Sequence, residues 1–444
     1  MACSAPAQVF VVDAHNGPGT AFVDLQAAVA AAPDGAVLDV RPGSYRPFSV
    51  ASKSLTIVVA DPTMTSLARG DVTIGPLPGD EIVRIVGLRH AMGSLEPNPR
   101  FVIHDCIGEV TLESCSDPWP SATASSGLLV VDSANVHVHG TKFGASLLPT
   151  TAAEPAATIR GSRVELAFCR FEGGSTLVFG GRGAPGLSIE QGSYVAAYGC
   201  EIEGGSGRSP ITDPGPCGDG GPAVHCVSSL VELIGGGAFG LPHLPSVGVR
   251  GGRGGTSLVG QPGGDSGPAM VLEQGSFARR THYLSLGAGT PGVGTPGGSS
   301  PPDLVLDASS GQEWLPYKQM SAKTVTPPQA GQTAEIRCWP PTSIGPQTVT
   351  FAVLALSLAA TVTTSPFVEL GLVGCDASLG TVGVTPIPTG TGVASPSTVS
   401  FAIPVTIPVG TALTTQFFGL HFGPNGPANG IVASNTVPVV VRGP

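Results

Sequence analysis

A degenerate repeat constrains this chain more than any other feature, returning five times between Gly127 and Leu286. The clearest pair is GSRVELAFCRFEGG (Gly161 to Gly174) and GSYVAAYGCEIEGG (Gly192 to Gly205), identical at seven of fourteen positions. PAATIRGSRVEL (Pro155 to Leu166) pairs with PAVHCVSSLVEL (Pro222 to Leu233), and PGLSIEQGSY (Pro185 to Tyr194) with PAMVLEQGSF (Pro268 to Phe277). A tandem unit of this length predicts a solenoid, because each copy buries its apolar face only by stacking on its neighbours. The unit is short apolar strands between Gly-rich turns, with no helical periodicity, and this predicts a parallel β-helix.

The register can be followed along the sequence. Val136, Val164, Val195, Val231 and Ala278 occupy one row, at steps of 28, 31, 36 and 47 residues. The strand core stays constant while the step grows, so the added residues read as loops. They are GGRGAPG (Gly180 to Gly186), GGSGRSPITDPGPCGDGG (Gly204 to Gly221) and GGRGGTSLVGQPGGDSG (Gly251 to Gly267). Weaker strands near Ile57, Ile85 and Leu112 fit the same step upstream. Insertions in solenoids map to turns and often to the binding face.

Gly and Pro make 107 of the 444 residues while charged residues are only 12%, which suits turn-dense β architecture. β-branched strands recurring between the turns argue against disorder. The net charge of −10 with scattered Lys and Arg argues against a nucleic-acid partner. No apolar run reaches the roughly 18–20 residues of a transmembrane helix.

There are nine cysteines and no CxxC. Cys106/Cys115 and Cys217/Cys226 are close in sequence, and Cys338/Cys375 form a C-terminal pair. Cys169 and Cys200 fall at the same position of consecutive repeats, within disulfide reach if their strands are adjacent at about 4.8 Å. Buried free thiols are the competing reading. Ala5-Pro6-Ala7 before Gln8 looks like the small-residue end of a secretory signal, and Cys3 is the alternative remnant of a lipoprotein signal. Either reading leaves eight cysteines and favours an exported setting with disulfides, secreted or at the cell surface.

Phe10 to Phe48 predicts a strand, a Gly/Pro turn, a short amphipathic helix on Phe22, Leu25 and Val29 begun near Thr20 or Asp24, and the strand AVLDV. Such a helix would cover the open first rung. Phe22-Val23-Asp24-Leu25-Gln26-Ala27-Ala28-Val29, the Asp34-Gly35 turn and Val40-Arg41-Pro42-Gly43-Ser44-Tyr45 before Leu55-Thr56-Ile57 carry a resemblance. The segment resembles the start of the pectin-lyase-like superfamily of right-handed parallel β-helices. The resemblance implies that fold, shared by pectin methylesterases and many glycan lyases and hydrolases. It transfers no catalytic residue. Gln-Asp-Thr-Leu and Asp-Phe-Ile-Phe-Gly of methylesterases, Trp-Ile-Asp-His of pectate lyases, and Asn-Thr-Asp and Gly-His-Gly of polygalacturonases are absent from the sequence.

The expected organisation is a signal remnant over 1–8, a right-handed parallel β-helix over 9–287, a Gly/Pro-rich linker over 288–302 and a C-terminal β-sandwich over 303–444. From Trp339 to Val441 only Glu369 and Asp376 are charged, and TVTFAVLALSL, VSFAIPVTIP and VPVVVRG alternate with Pro/Gly turns. This reads as antiparallel β-structure. It is similar to the β-sandwich that ends many large secreted bacterial proteins. Edge strands without charged gatekeepers leave self-association open.

Alternation along the strands predicts two outward rows. One is Thr111, His137, Glu165, Ala196, Glu232 and Arg279, and the next is Glu113, His139, Ala167, Tyr198, Ile234 and Thr281. Histidines, carboxylates and a tyrosine converge here. If the chain is an enzyme, His137, His139, Glu165, Glu113 and Tyr198 are its catalytic candidates, with imidazole–carboxylate pairs as general acid and base. The i, i+2 histidines also suit zinc, with Glu113 or Glu165 as a third ligand. Otherwise they are cross-strand polar pairs on a solvated face. Asp219 and Asp265, in the related turns GDGGP and GDSGP, are the candidates for calcium, the one cofactor considered, although shared turn geometry explains the repeat as well. Arg182, Arg208 and Arg253 in the long loops are candidates for holding a carbohydrate.

The expected function is a non-catalytic glycan-binding, structural or adhesive role on a secreted or cell-surface protein, with a polysaccharide or matrix glycan as partner. The alternative is an extracellular polysaccharide lyase or glycoside hydrolase acting on acidic polysaccharide. The sequence leaves catalysis open.

Overall fold

The computed structural model describes residues 8–441 apart from 64, 68–69, 90–99, 116–126, 145–152, 177–179, 210–214, 236–247, 258–260, 281–283, 315–320, 327–328, 330, 340–349, 358–379, 388–396, 404–406, 408, 423–427 and 434–436. The chain is a parallel β-helix followed by two antiparallel sheets. Eleven strands, from Val9–Val12 to Gly311–Trp314, form a long sheet in sequential rung order. A second sheet of nine strands runs from Ser49–Val50 to Leu304–Leu306, and a third of five from Lys142–Gly144 to Ser285–Gly287. All ladders in these three sheets are parallel and in register, so equivalent residues of the repeat stack directly. Val110, Val136, Val164, Val195, Val231 and Ala278 form the buried row expected from the repeat.

The core is a set of such rows. Leu112, Val138, Leu166, Ala197 and Leu233 face inward from the long sheet, and Ile103, Val130, Ile159, Ile189, Cys226 and Leu272 from the second. From the third sheet Phe143 stacks on Phe171 with centroids 5.6 Å apart. The helix Leu25–Ala31 closes the N-terminal end. Asp24 Oδ1 accepts from Ala27 N–H at 3.0 Å as N-cap, and Leu25, Ala28 and Val29 join the core. Lys53 Nζ donates to the Val29 and Ala32 carbonyls at 2.9 Å, satisfying the helix's other end.

Two turn types hold the rungs in register through left-handed residues, single at most rungs and paired at Gln191–Gly192 and Gln274–Gly275. Between the second and long sheets, Asp105, Asp132, Gly161 and Ser228 have φ of 54°, 47°, 54° and 50°. The next residue in each case belongs to a buried hydroxyl ladder. Cys106 N–H donates to Ser133 Oγ, Ser133 N–H to Ser162 Oγ, and so on through Ser193 and Ser229 to Ser276, at 3.0–3.3 Å. Each hydroxyl donates back to a carbonyl two or three residues earlier, as Ser162 Oγ does to Arg160 O at 2.6 Å. The backbone groups freed by the turn are thereby paired inside the core.

The second turn, after the long sheet, carries Cys115, Thr141, Cys169 and Cys200 behind left-handed Ser114, Gly140, Phe168 and Gly199. Their sulfurs behave like the hydroxyls. Cys115, Cys169 and Cys200 Sγ lie 3.4–3.5 Å from the carbonyls of Glu113, Ala167 and Tyr198. This corrects the expected disulfides: all six described cysteines are free thiols. Cys106 and Cys115 belong to turns at opposite ends of a long-sheet strand. Cys226 faces the core while Cys217 lies in a glycine-rich arm, and Cys169 and Cys200 each spend their thiol on backbone carbonyls. Burial pushes the Cys115 thiol up to about 12, and those of Cys106 and Cys226 to about 11. Cys3 and Cys375, and the side chain of Cys338, lie outside the described residues.

The described parts of the glycine-rich insertions are not free loops. They pair as two layers of extended backbone. Gly218 N–H donates to Arg208 O in the facing layer, Gly220 N–H to Asp265 O in its own layer, and Gly221 N–H to Gly205 O in the facing layer, at 2.8–3.1 Å. The same alternation runs through Gly252 to Gly221, Gly267 to Gly252 and Gly289 to Gly267. Its period of three residues is that of a polyproline II helix. Two positions in three face other backbone and are mostly glycine, with Ala184 and Ser266 as buried exceptions: a methyl group on Gly255 would coincide with the Arg208 carbonyl. The third position points out, and carries Arg182, Asp219, Asp265 or a proline such as Pro222 and Pro268. Pro fits there because it brings no N–H that the bundle would have to pair.

The solenoid also extends beyond the expected boundary at 287. Gly289 and Gly292 of the supposed linker bond to Gly267 and Gly264 of the bundle. Leu304–Leu306 and Gly311–Trp314 then complete a last rung on the second and long sheets. The antiparallel region begins at Ser321. It contains a three-stranded sheet of Ser321–Thr326, Thr333–Trp339 and Ser397–Ala402. A second sheet contains Gly380–Ile387, Thr350–Ser357, Ala412–Phe422, Ala428–Ala433 and Val437–Val440. Val440 packs on the outward side of the first long-sheet rungs, in a cluster with Val37, Val58 and Val86.

Candidate functional site

The outward side of the long sheet holds the residues singled out above, in the register expected. Thr111, His137, Glu165, Ala196, Glu232 and Arg279 are successive partners in one row, and Glu113, His139, Ala167, Tyr198 and Ile234 in the next. Thr281 lies outside the described residues. The face is not solvated. Glu113 and His139 are each 7% exposed and Tyr198 is fully buried. Tyr198 packs with Ala167, Ala196 and Ile234, against Phe168 and Tyr194, in an apolar cluster two rungs from His139.

Three candidates converge. His137 Nδ1 and His139 Nε2 each lie 3.9 Å from a different oxygen of Glu165. The two rings are nearly parallel, with an interplanar angle of 17° and centroids 6.4 Å apart. His137 Nε2 is 2.8 Å from Asn135 Oδ1, two residues back on the same side of the strand. Asn135 Oδ1 can only accept, so His137 Nε2–H is the donor in that bond. Burial, opposed by Glu165 and reinforced by His137, holds the His139 imidazole down at about 4, so it is neutral at neutral pH. Glu113 is the register partner of His139 one rung away.

Other polar groups on this face were not singled out from the sequence. Arg84 Nη2 donates to Glu109 Oε1 at 3.0 Å. Fully buried Glu232 accepts from Tyr194 Oη at 3.0 Å and Arg279 Nη1 at 3.1 Å. Burial first and Glu232 second hold the Tyr194 phenol far above its ordinary range. Tyr194 is therefore a tyrosine of this face that meets a carboxylate. Asn135 and Tyr194 could have been found by carrying the alternation one step further along each strand.

A second site lies where the glycine bundle meets the second sheet. A cleft of about 600 Å³ is lined by Arg182, Asp219, Asp265 and Ser299 from the bundle and by His225 and Glu273 from the sheet. Pro185, Pro222, Pro268 and Pro301 form its floor with Val271 and Val305. Each row advances one rung at a time, so the cleft follows the solenoid axis for roughly 14 Å, three steps of about 4.8 Å. His225 Nε2 is 3.3 Å from Glu273 Oε2.

The two aspartates already have partners. Asp219 Oδ1 accepts from Asp265 N–H at 2.9 Å, and Asp265 Oδ1 from Ser299 N–H at 2.6 Å. The Ser299 bonds hold the Asp265 carboxyl below its usual range. They thus tie successive rungs together, and among the described residues the grouping of potential metal ligands is His137, His139 and Glu165. Arg182 lines the cleft, whereas Arg208 and Arg253 belong to the facing layer of the bundle. No protein-family model matches the chain, and no curated protein or solved structure matches it. No helix of the described residues is long and apolar enough to cross a membrane.

Proposed function

We propose that this chain is a non-catalytic glycan-binding solenoid of a secreted or cell-surface protein, with the axial cleft as its binding face. The carrying observation is the composition of that cleft. Rows of carboxylate, hydroxyl and guanidinium groups stand over flat proline and valine surfaces, and a sugar ring needs both kinds of contact. Because Asp219 and Asp265 are fixed by backbone N–H groups, their remaining lone pairs are oriented before a ligand arrives. Three carboxylates against one arginine favour a neutral glycan over a uronate chain, whose charges would be repelled. Kinship with the pectin-lyase-like β-helices belongs to this proposal and is supported by the helix and first rung formed by Phe22 to Tyr45. Binding along the axis would serve an adhesive or matrix role without chemistry.

Affinity electrophoresis against neutral and uronic polysaccharides tests the reading, with reducing ends and unsaturated uronate measured in parallel. Retention on a neutral glycan, weakened at least tenfold by Arg182→Ala with Glu273→Gln and without product, is the expected result. Retention indifferent to that double variant would remove the cleft from the account. Product that vanishes in His137→Ala/His139→Ala would instead make the chain a lyase or hydrolase.

A further inference from the structure

We propose that His137, His139 and Glu165 form a binding site for a single zinc ion on the outward face of the long sheet. The inference stands independently of the glycan reading. One ligand atom from each residue lies within 4.8 Å of the others. A tetrahedral zinc with bonds of about 2.0–2.1 Å needs its ligand atoms about 3.4 Å apart. The histidine–carboxylate separations of 3.9 Å run to different Glu165 oxygens, so closing on one ion takes a turn of the Glu165 carboxylate together with side-chain rotations that draw the two imidazole nitrogens inward from within 4.8 Å.

The chemistry of the set matches as well as its spacing. Two neutral imidazoles and one carboxylate are a ligand set that zinc uses with a fourth position open. His139 is nine-tenths buried, and among the described residues its Nε2 has no hydrogen-bond partner, Glu165 Oε1 lying 3.9 Å away. A buried polar atom left in this way costs free energy that a metal bond would recover. His137 is prepared from behind. Its Nε2–H donates to Asn135 Oδ1, the outer-shell contact that fixes the tautomer of a metal-bound histidine and presents Nδ1 to the ion. Glu113 is the buried register partner of His139 on the neighbouring rung.

The fold explains why these atoms meet. In-register parallel stacking puts residues of consecutive rungs about 4.8 Å apart, and strand alternation puts i and i+2 on one side. VHVH on one rung and Glu165 on the next therefore make a triangle on a rigid sheet. Fixing ligands on strands rather than loops is what holds a metal site to its geometry.

The test uses full-length untagged protein stripped with a chelator and then titrated with zinc. One equivalent of bound zinc per chain is expected, with cobalt giving the absorption bands of a four- or five-coordinate nitrogen/oxygen site. His139→Ala should weaken zinc at least a hundredfold. Should that variant not fold, Glu165→Gln, which conserves volume, carries the same comparison with the fold checked by circular dichroism. Asn135→Ala, which leaves all three ligands, should weaken zinc about tenfold. No stoichiometric uptake by the wild-type chain, or uptake unchanged in the ligand variants, would overturn the site.

Discussion

The sheets and the glycine bundle of this solenoid solve the same stacking problem by opposite means. In the sheets, Val, Leu and Ile rows fill the interior, and one face of every strand is spent on the core. In the bundle the side chains are removed, so that backbone meets backbone from two layers and hydrogen bonds replace apolar contacts. The first arrangement tolerates a change of side chain and is felt through cavities. The second leaves little room for a side chain at two positions in three, yet leaves the third free to carry larger residues, proline included. The outward third position supplies Arg182, Asp219 and Asp265 to the cleft at a repeat fixed by the bundle, one residue per rung.

Substitutions that separate the two regions sharpen the contrast. Leu166→Ala, in the middle of a buried row, should cost about 3–4 kcal/mol in urea denaturation. Gly255→Val should cost about 3 kcal/mol, because the added carbons meet the Arg208 carbonyl, whereas exposed Arg253→Val two residues away should change stability by less than about 0.5 kcal/mol. A Gly255→Val chain as stable as wild type would show that the two layers do not touch.

Ser193→Ala removes an acceptor for Ser162 N–H and a donor to Glu190 O, and should cost about 1–2 kcal/mol. Ser193→Cys should recover part of it, as cysteine already occupies the ladder at Cys106. Equal losses for the two variants would argue that the ladder is packing rather than hydrogen bonding.

The smallest effect is expected on the third sheet, where Arg170 lies 3.7–4.0 Å from Glu172, Glu201 and Glu203. The group is half exposed, so Arg170→Ala should cost less than about 1 kcal/mol at pH 7. Burial and then Glu172 raise the Glu203 carboxyl. A raised carboxyl favours the folded state while protonated, and that advantage is lost as pH rises through its folded value. The Arg170→Ala deficit should therefore grow between pH 4 and pH 7; a deficit independent of pH would detach Arg170 from these carboxylates.

The rows were legible in the sequence wherever a side chain announced its own direction. The Val136 to Ala278 register, the outward rows as far as they are described and the end helix follow from alternation and from turn residues, while the choice of Asp24 over Thr20 as its cap comes from the structure. The Gly-Ser pairs that become the hydroxyl ladder were visible within the repeats, but a serine after a glycine reads equally as a surface turn. The bundle was missed because glycine carries no pattern except spacing, and a period of three was read as insertion and linker. The thiols were read from spacing alone, which cannot tell a disulfide pair from two inward sulfurs bonded to carbonyls. Burial of Tyr198 was hidden because alternation gives the side of a sheet and not what covers it.

Hydrogen exchange of the glycine arms tests most directly whether the cleft is built on a rigid floor. Peptides covering 216–222 and 251–257 should be protected for as long as those covering the core strand Leu230–Ile234, since their amides are bonded between layers. Exchange within seconds in the arms, with the strand still protected, would contradict the bundle and remove the fixed rows on which the proposed binding face depends.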